Sequence, residues 1–492
     1  MNLIFKRSAP FLALLGLALG GCQPDLNDDP KSSAGQADFS RYVSVGNSLT
    51  AGISDGGLYR EGQLNSYPNI LAQQFKQVGG GEFVQPLFSE AQLNGSGYLR
   101  LAGFTATGGP ITANVTTNLG VRGAVPTRTN PLPRPQPIYT KDLNVINNLG
   151  VSGIRMSDIT TAGLGNVSQT GGTATAPTTI FNEYFERITP DGSNETYLER
   201  VRRTVDTVKP TFFTSWLGNN DVLGFATAGG AGSSLTPIAT FTANNNQVLD
   251  ALTAGGAKGV VATIPDVTTI PFFTTVGPSF KATLAANNVP GIVTMTGAAP
   301  GGPASGNRRQ IATVDIRDAA GAGRQLFTLT SAPFLGLLGR PTGAPWRSFV
   351  PRANLAGYLT AYGVDTLQAF GATAGNPIPS AFILDDTEQA QVQTAITAFN
   401  AALVSAANTR NLAIFDVNTF FRSIATNGLV ANTTTNTAAY ISGNIFSLDG
   451  VHPTPRGYAL IANEIIKVIN AKYGSSLPGV DASAYRGVLF PQ

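Results

Sequence analysis

Short apolar runs alternate with amphipathic stretches along this chain, and the alternation predicts βα units. Arg41–Gly46, Leu143–Asn147, Thr211–Leu217, Gly259–Ile264 and Leu412–Val417 read as buried strands. Between them, apolar residues recur at helical spacing. One helix opens at Ser66-Tyr67-Pro68 and carries Tyr67, Leu71, Phe75 and Val78. Another covers Asn194–Val208, with Leu198, Val201, Val205 and Val208 on one face. A third runs from Thr236-Pro237 to about Leu252. Asp385–Asn408 places Val392, Ile396, Phe399 and Leu403 in register, with Glu388 set for a capping box. The last helix follows His452: Thr454 suits the N-cap and Pro455 the first helical position, ahead of Ile461, Ile465, Val468 and Ile469.

Strands alternating with helices imply a mostly parallel sheet. Ligands of such sheets bind beyond the carboxyl ends of the strands. Polar and glycine-rich stretches follow the first three strands: Asn47-Ser48-Leu49-Thr50-Ala51-Gly52, Asn148–Gly153 and Gly218-Asn219-Asn220-Asp221. The loop Asp449-Gly450-Val451-His452 follows the fifth. All four are therefore expected at one edge. Two long stretches, residues 79–140 and 265–384, break the alternation. They read as insertions on that loop edge, with small β-hairpins, and loops of such length beside a site either shape or cover it or serve as decoration or a partner surface.

Composition narrows the function. Charged residues are 12% of the chain and the net charge is +3, with no basic block, so nothing points to nucleic acid. One cysteine excludes an intramolecular disulfide, and one cysteine with one histidine makes no zinc site. There is no P-loop pattern, and no cofactor or metal is expected. His452, the only histidine, is the one side chain that ordinarily titrates near neutral pH, hence the one candidate base. Ser48, at a strand-to-helix turn among small residues, is the candidate nucleophile.

The N-terminus supplies an address. Lys6 and Arg7 precede an apolar run from Ala9 to Gly21, too short to span a bilayer, which ends at Cys22. This resembles the lipobox of bacterial lipoproteins. The resemblance implies a signal peptide over 1–21, lipidation at Cys22 and a cell-envelope location. Because no Asp follows Cys22, it also implies the outer membrane, with the leaflet left open. Residues 22–40 read as a flexible tether and 474–492 as a C-terminal tail.

Gly46-Asn47-Ser48-Leu49, Asn148–Gly153, Gly218-Asn219-Asn220-Asp221 and Asp449-Gly450-Val451-His452 stand in the order of the conserved blocks of the GDSL, or SGNH, hydrolases, which this chain resembles over scattered parts of 41–473. The resemblance implies a flavodoxin-like three-layer α/β sandwich, with a mostly parallel five-stranded sheet and long loop insertions. It implies a triad of Ser48, His452 and Asp449, and an oxyanion hole from the Ser48 N–H, the Gly153 N–H and the Asn220 amide. Gly153 fits the second block better than Gly150, because the family glycine follows the asparagine by several residues. Asp221 is expected to cap the segment after it. One departure is Asn47, where the family has Asp, which leaves hydrogen bonding at that turn open. The implied activity is hydrolysis of carboxylic esters, with acyl lipids and O-acetylated glycans both open as substrates. The implied protein is a monomer held to a membrane by its lipid. The competing reading is a surface binding lipoprotein that captures a glycan or other ligand without chemistry.

Overall fold

The computed structural model describes residues 32–491, apart from 107, 126–135, 169, 174–175, 180, 232, 298–305, 351 and 353. The expected signal peptide, Cys22 and the first part of the tether lie outside the described residues. The rest of the tether is not loose. Ala37 and Phe39 are buried, and Phe39 stacks on Phe75 at 4.2 Å, because an aromatic ring this close to the sheet finds a core to join.

The elements that build the frame are, in chain order, β1 (Tyr42–Gly46), α1 (Ser48–Ala51), α2 (Tyr67–Lys76), β2 (Asn148–Gly150), α3 (Tyr197–Val208), β3 (Phe212–Trp216), α4 (Asn220–Thr227), α5 (Ile238–Thr253), β4 (Lys258–Ala262), α6 (Asp386–Thr409), β5 (Ala413–Phe415), α7 (Val417–Asn427) and α8 (Pro455–Tyr473). The five strands form one sheet in the order β2-β1-β3-β4-β5, and every pairing is parallel. This is the flavodoxin-like strand order, which reverses direction between β1 and β3. Helices α2 and α8 pack together on one face, and α3, α5 and α6 pack together on the other, giving three layers. A strand covered on both faces cannot alternate in polarity. Accordingly, every residue of β1 and β3 is buried, and the hydroxyls this traps find each other, as Tyr42 Oη and Thr214 Oγ1 do at 2.7 Å.

Local signals set the helix ends. The capping box at Asp385 and Glu388 is formed, and Thr454 Oγ1 accepts the Gly457 N–H at 3.0 Å with Pro455 in the first turn. Several boundaries differ from the sequence reading, such as the helix that starts at Tyr197 and the strand Lys258–Ala262, and two have a clear local cause. The second strand is Asn148–Gly150, not Leu143–Asn147: Leu143 and Val145 are each 57% exposed. Asn148 enters the sheet because its side chain is satisfied there, donating to Thr50 O and accepting from Gly150 N. The fifth strand ends at Phe415, since Asp416 accepts the Thr419 N–H and starts α7 at Val417.

Both long insertions contain hairpins. The first holds Tyr98–Phe104 with Pro110–Val115, and Val121–Val125 with Gln136–Tyr139. The second holds Gly291–Met295 with Arg308–Ala312. It also holds the helix Val276–Ala286 and a second apolar core built on Val276, Phe280, Ile311, Phe327 and Phe370. Its middle closes on its C-terminal end in a two-residue antiparallel pairing, Leu326 with Leu384 and Phe327 with Ile383. Successive strand residues face opposite sides. Leu326 and Leu384 therefore join the main core, while Phe327 and Ile383 join the second. The C-terminal tail is docked as well: Leu477 and Ala482 are buried in the main core, and Arg486 pairs with Glu61 and Tyr59. Among the described residues, no helix is long and apolar enough to cross a membrane.

Candidate active site

Ser48 is the first residue of α1, immediately beyond the carboxyl end of β1. The turn is tight because two glycines allow it. A Cβ on Gly46 would lie 2.0 Å from Thr50 Oγ1, and one on Gly150 would lie 2.2 Å from Ala51 N. So Gly150 lets α1 lie against β2, a packing role that leaves Gly153 for other work. Asn47 is the N-cap of α1: its Oδ1 accepts the Leu49 N–H at 3.0 Å, the capping bond that an aspartate would make with the same atom. Thr50 Oγ1 meets Tyr67 Oη at 2.9 Å and Thr50 O accepts from Asn148, so α1 is held from both sides. Ser48 is recessed, with 5% of its surface exposed, rather than presented on an open turn.

The loop before α8 brings in the other two groups. Its backbone is clamped by Ser447 N–H to His452 O and by Thr454 N–H to Ile445 O, each 2.8 Å, with Gly450 at φ 70° turning between. His452 Nε2 lies 2.9 Å from Ser48 Oγ, and His452 Nδ1 lies 2.7 Å from Asp449 Oδ2. Asp449 Oδ1 also accepts the Val451 and His452 N–H groups at 2.8 Å and the Ser447 hydroxyl at 3.2 Å. Its Oδ2 takes the Gly56 N–H at 2.8 Å. Burial by itself would raise this carboxyl; His452 and the backbone N–H donors of His452 and Val451 outweigh it and hold Asp449 below its ordinary value. An ionised carboxylate only accepts, so the imidazole proton belongs on Nδ1 and the Nε2 lone pair faces the serine hydroxyl.

Gly153 stands on the loop leaving β2 and Asn220 opens α4 beyond β3, on either side of the β1 end that carries Ser48. Gly153 has φ 79°, and its N–H donates to no group among the described residues. Asn220 Nδ2 donates to Ile154 O at 2.9 Å, tying its loop to the residue after Gly153 and leaving its second N–H. The Ser48 N–H opens α1 and has no intrahelical acceptor. Asp221 does not cap its own helix. It is buried inside α4 and reaches the other way, accepting the Met156 N–H at 2.7 Å, the Ser157 N–H at 3.3 Å and the Thr236 hydroxyl at 2.5 Å. Those donors would otherwise be buried without partners, and the geometry ties the Gly153 loop to α4. Burial pushes the Asp221 carboxyl up to about 6.

Sequence reasoning missed the turn Asp55-Gly56. Asp55 Oδ1 accepts the Leu448 N–H at 3.1 Å, and the Asp55 N–H donates to Ser447 Oγ at 2.8 Å. With Gly56 on Asp449, this turn fixes the Asp449 loop to the chain just past Ser48. An Asp-Gly-Gly sequence marks a turn, but nothing in it announces a partner some 390 residues away. Among the described residues, no cluster of histidine, cysteine or carboxylate side chains can hold a metal ion. Compared with models of protein families and with curated protein sequences, the chain has no match.

Proposed function

We propose that this protein is a serine hydrolase of carboxylic esters, of the SGNH type. The carrying observation is the continuous relay from Ser48 Oγ through His452 to Asp449, at 2.9 and 2.7 Å. Ser48 Oγ attacks the ester carbonyl while His452 Nε2 takes its proton. The tetrahedral oxyanion is met by the N–H groups of Ser48 and Gly153 and by the Asn220 amide. As the acyl C–O bond breaks, His452 delivers the proton to the departing alcohol, leaving the acyl group on Ser48. Water, deprotonated by His452, then adds to the acyl-enzyme and releases the acid. Asp449 holds the imidazole in the productive tautomer and stabilises its charged form throughout.

The N-terminal Lys6-Arg7, apolar run and lone Cys22 support an exported protein, lipidated at Cys22 and attached to the cell envelope. Loss of fatty-acyl labelling in Cys22→Ser tests that address. The activity is tested with the soluble chain from Gln23 onward, given p-nitrophenyl acetate and a fluorophosphonate probe, beside Ser48→Ala. Turnover and labelling confined to the protein with Ser48 are expected. A folded protein that neither turns over nor labels would instead be a binding protein on this frame.

A further inference from the structure

An open cavity of about 920 Å³ lies between the two insertions, and Asp449 forms part of its wall. That size is at the upper end of small-molecule sites. One side comes from the hairpin Tyr98–Val115, through Leu99, Pro110 and Thr112. The other comes from the second insertion, through Phe272, Val276, Phe280, Leu329 and Leu335. Phe272 is tied to the catalytic loop itself, since its N–H donates to Gly450 O at 2.9 Å. The cavity therefore begins two hydrogen bonds from Ser48 Oγ, at the carboxylate end of the relay. Its polar lining is mostly threonine and serine hydroxyls, such as Thr275, Ser279 and Thr283, and among the described residues Asp449 is the one charged lining residue. Among the described lining residues there is no arginine or lysine to meet a phosphate, and no asparagine, glutamine or tryptophan to grip a sugar. Beside it the same hairpin exposes Phe104 and Ile111, by 45% and 46%, and Phe104 stacks against the exposed Phe490.

We propose that this cavity seats an extended alkyl chain of the ester, so that the natural substrates are long-chain esters rather than acetylated glycans. The inference rests on the hydrolase reading and adds the substrate class. A largely apolar wall offers an alkyl chain removal from water, and it offers an acetyl group or a sugar, beyond a few hydroxyls, far less. Each methylene fully seated multiplies kcat/KM about fourfold, so a few seated methylenes give on the order of a hundredfold.

The chain-length series tests this, with two arms that separate the two ends of an ester. One arm takes p-nitrophenyl acetate, butyrate, octanoate and dodecanoate; the other takes acetates of ethanol, butanol, octanol and dodecanol. A steep rise in kcat/KM along either arm is expected, and the arm that rises tells whether the acyl or the alcohol chain is seated. Ser279, exposed on the helix Val276–Ala286 and facing the cavity, gives the second measurement. In Ser279→Trp the ratio of long-chain to acetate turnover should fall toward one within the same protein preparation. Serine-dependent turnover that is flat along both arms overturns the alkyl-chain proposal and leaves the hydrolase reading standing. A steep series that Ser279→Trp leaves unchanged, in a protein with unaltered thermal unfolding, overturns the location. Absence of serine-dependent turnover on every ester sinks the hydrolase reading, and this proposal with it.

Discussion

The sheet and the second insertion solve the same burial problem in different ways. In the sheet, β1 and β3 are buried along their whole length between two helical layers, and the main core runs unbroken from Phe39 to Ala482. In the insertion, short helices and one hairpin surround a separate core, joined to the first across the two-residue seam of Leu326–Phe327 and Ile383–Leu384. The groups of the proposed relay and oxyanion hole all belong to the sheet side: Ser48 after β1, Gly153 after β2, Asn220 after β3, and Asp449 with His452 ahead of α8. The insertion contributes walls. The difference implies a division of labour in which the rigid frame holds the relay and the added core shapes what reaches it. A frame buried on both faces can hold reacting atoms within a few tenths of an ångström, whereas a wall needs only to exclude water.

The sharpest way to break that division lies in the relay. In Asp449→Asn, one carboxylate oxygen becomes an amide N–H donor. Placed against Nδ1, it forces the imidazole proton onto Nε2, and the base can no longer accept from Ser48. Turnover should fall about 10⁴-fold. The expected companion result is a folded protein, since Oδ1 still accepts the Val451 and His452 N–H groups in the variant. Steady-state kinetics on p-nitrophenyl acetate with a circular-dichroism melt reads both. Retention of a tenth or more of the wild-type rate would remove Asp449 from the proposed mechanism.

The frame was legible in the sequence element by element, and the walls only as two insertions with hairpins on the loop edge, for a physical reason. Strand and helix signals are local: the run Tyr42–Gly46, the capping residues Asp385 and Glu388, and Thr454-Pro455 declare themselves within a few residues. The blocks around Ser48 and His452 were equally local. The insertion hides its helix Val276–Ala286 behind Gly277-Pro278, which reads as a break. Pro278 in fact occupies the first turn, where no intrahelical N–H bond is lost. The Asp55-Gly56 contacts with the Asp449 loop depend on residues brought together only by folding. The shift of β2 to Asn148–Gly150 has the same origin: apolar Leu143 and Val145 suggested burial, but the partners that accept Asn147 and Asn148 exist only in the assembled sheet.

The two cores can be tested apart. Trp346 is fully buried in the insertion at the border of the second core, against Phe349, and its Nε1 donates to Asn376 Oδ1 at 2.9 Å. Trp346→Ala should cost about 3–5 kcal/mol. If the seam at Leu326–Phe327 separates cooperative units, the cost falls on the insertion alone. Hydrogen exchange should then accelerate over 276–384 while β1 and β3 keep their protection, and acetate turnover should outlast the preference for long chains. Phe212→Ala, in the main core, should instead lower protection everywhere. A single cooperative loss in both variants would show the insertion and the sheet to be one unit.

A smaller effect separates two carboxylates of the sheet edge by sign. Asp449 is held below its ordinary value, so it adds stability that is present above pH 3.8 and lost as the pH falls. Asp221, pushed up from 3.8 to about 6 by burial, behaves in the opposite sense. Its protonated form is the one the folded protein favours. It therefore adds stability that is full below pH 3.8 and lost as the pH rises through about 6. Asp221→Asn removes that titration while keeping a side chain of the same shape. The difference in unfolding free energy between wild type and variant should move against the wild type from pH 4 to pH 7, by on the order of 2 kcal/mol. The loss of an acceptor for the Met156, Ser157 and Thr236 donors adds a constant offset that does not depend on pH. Urea midpoints across that range read the slope. A difference that stays level, or one that grows in favour of the wild type toward neutral pH, would mean that Asp221 is not strained by burial. Its clamp on the Gly153 loop would then come without an electrostatic cost.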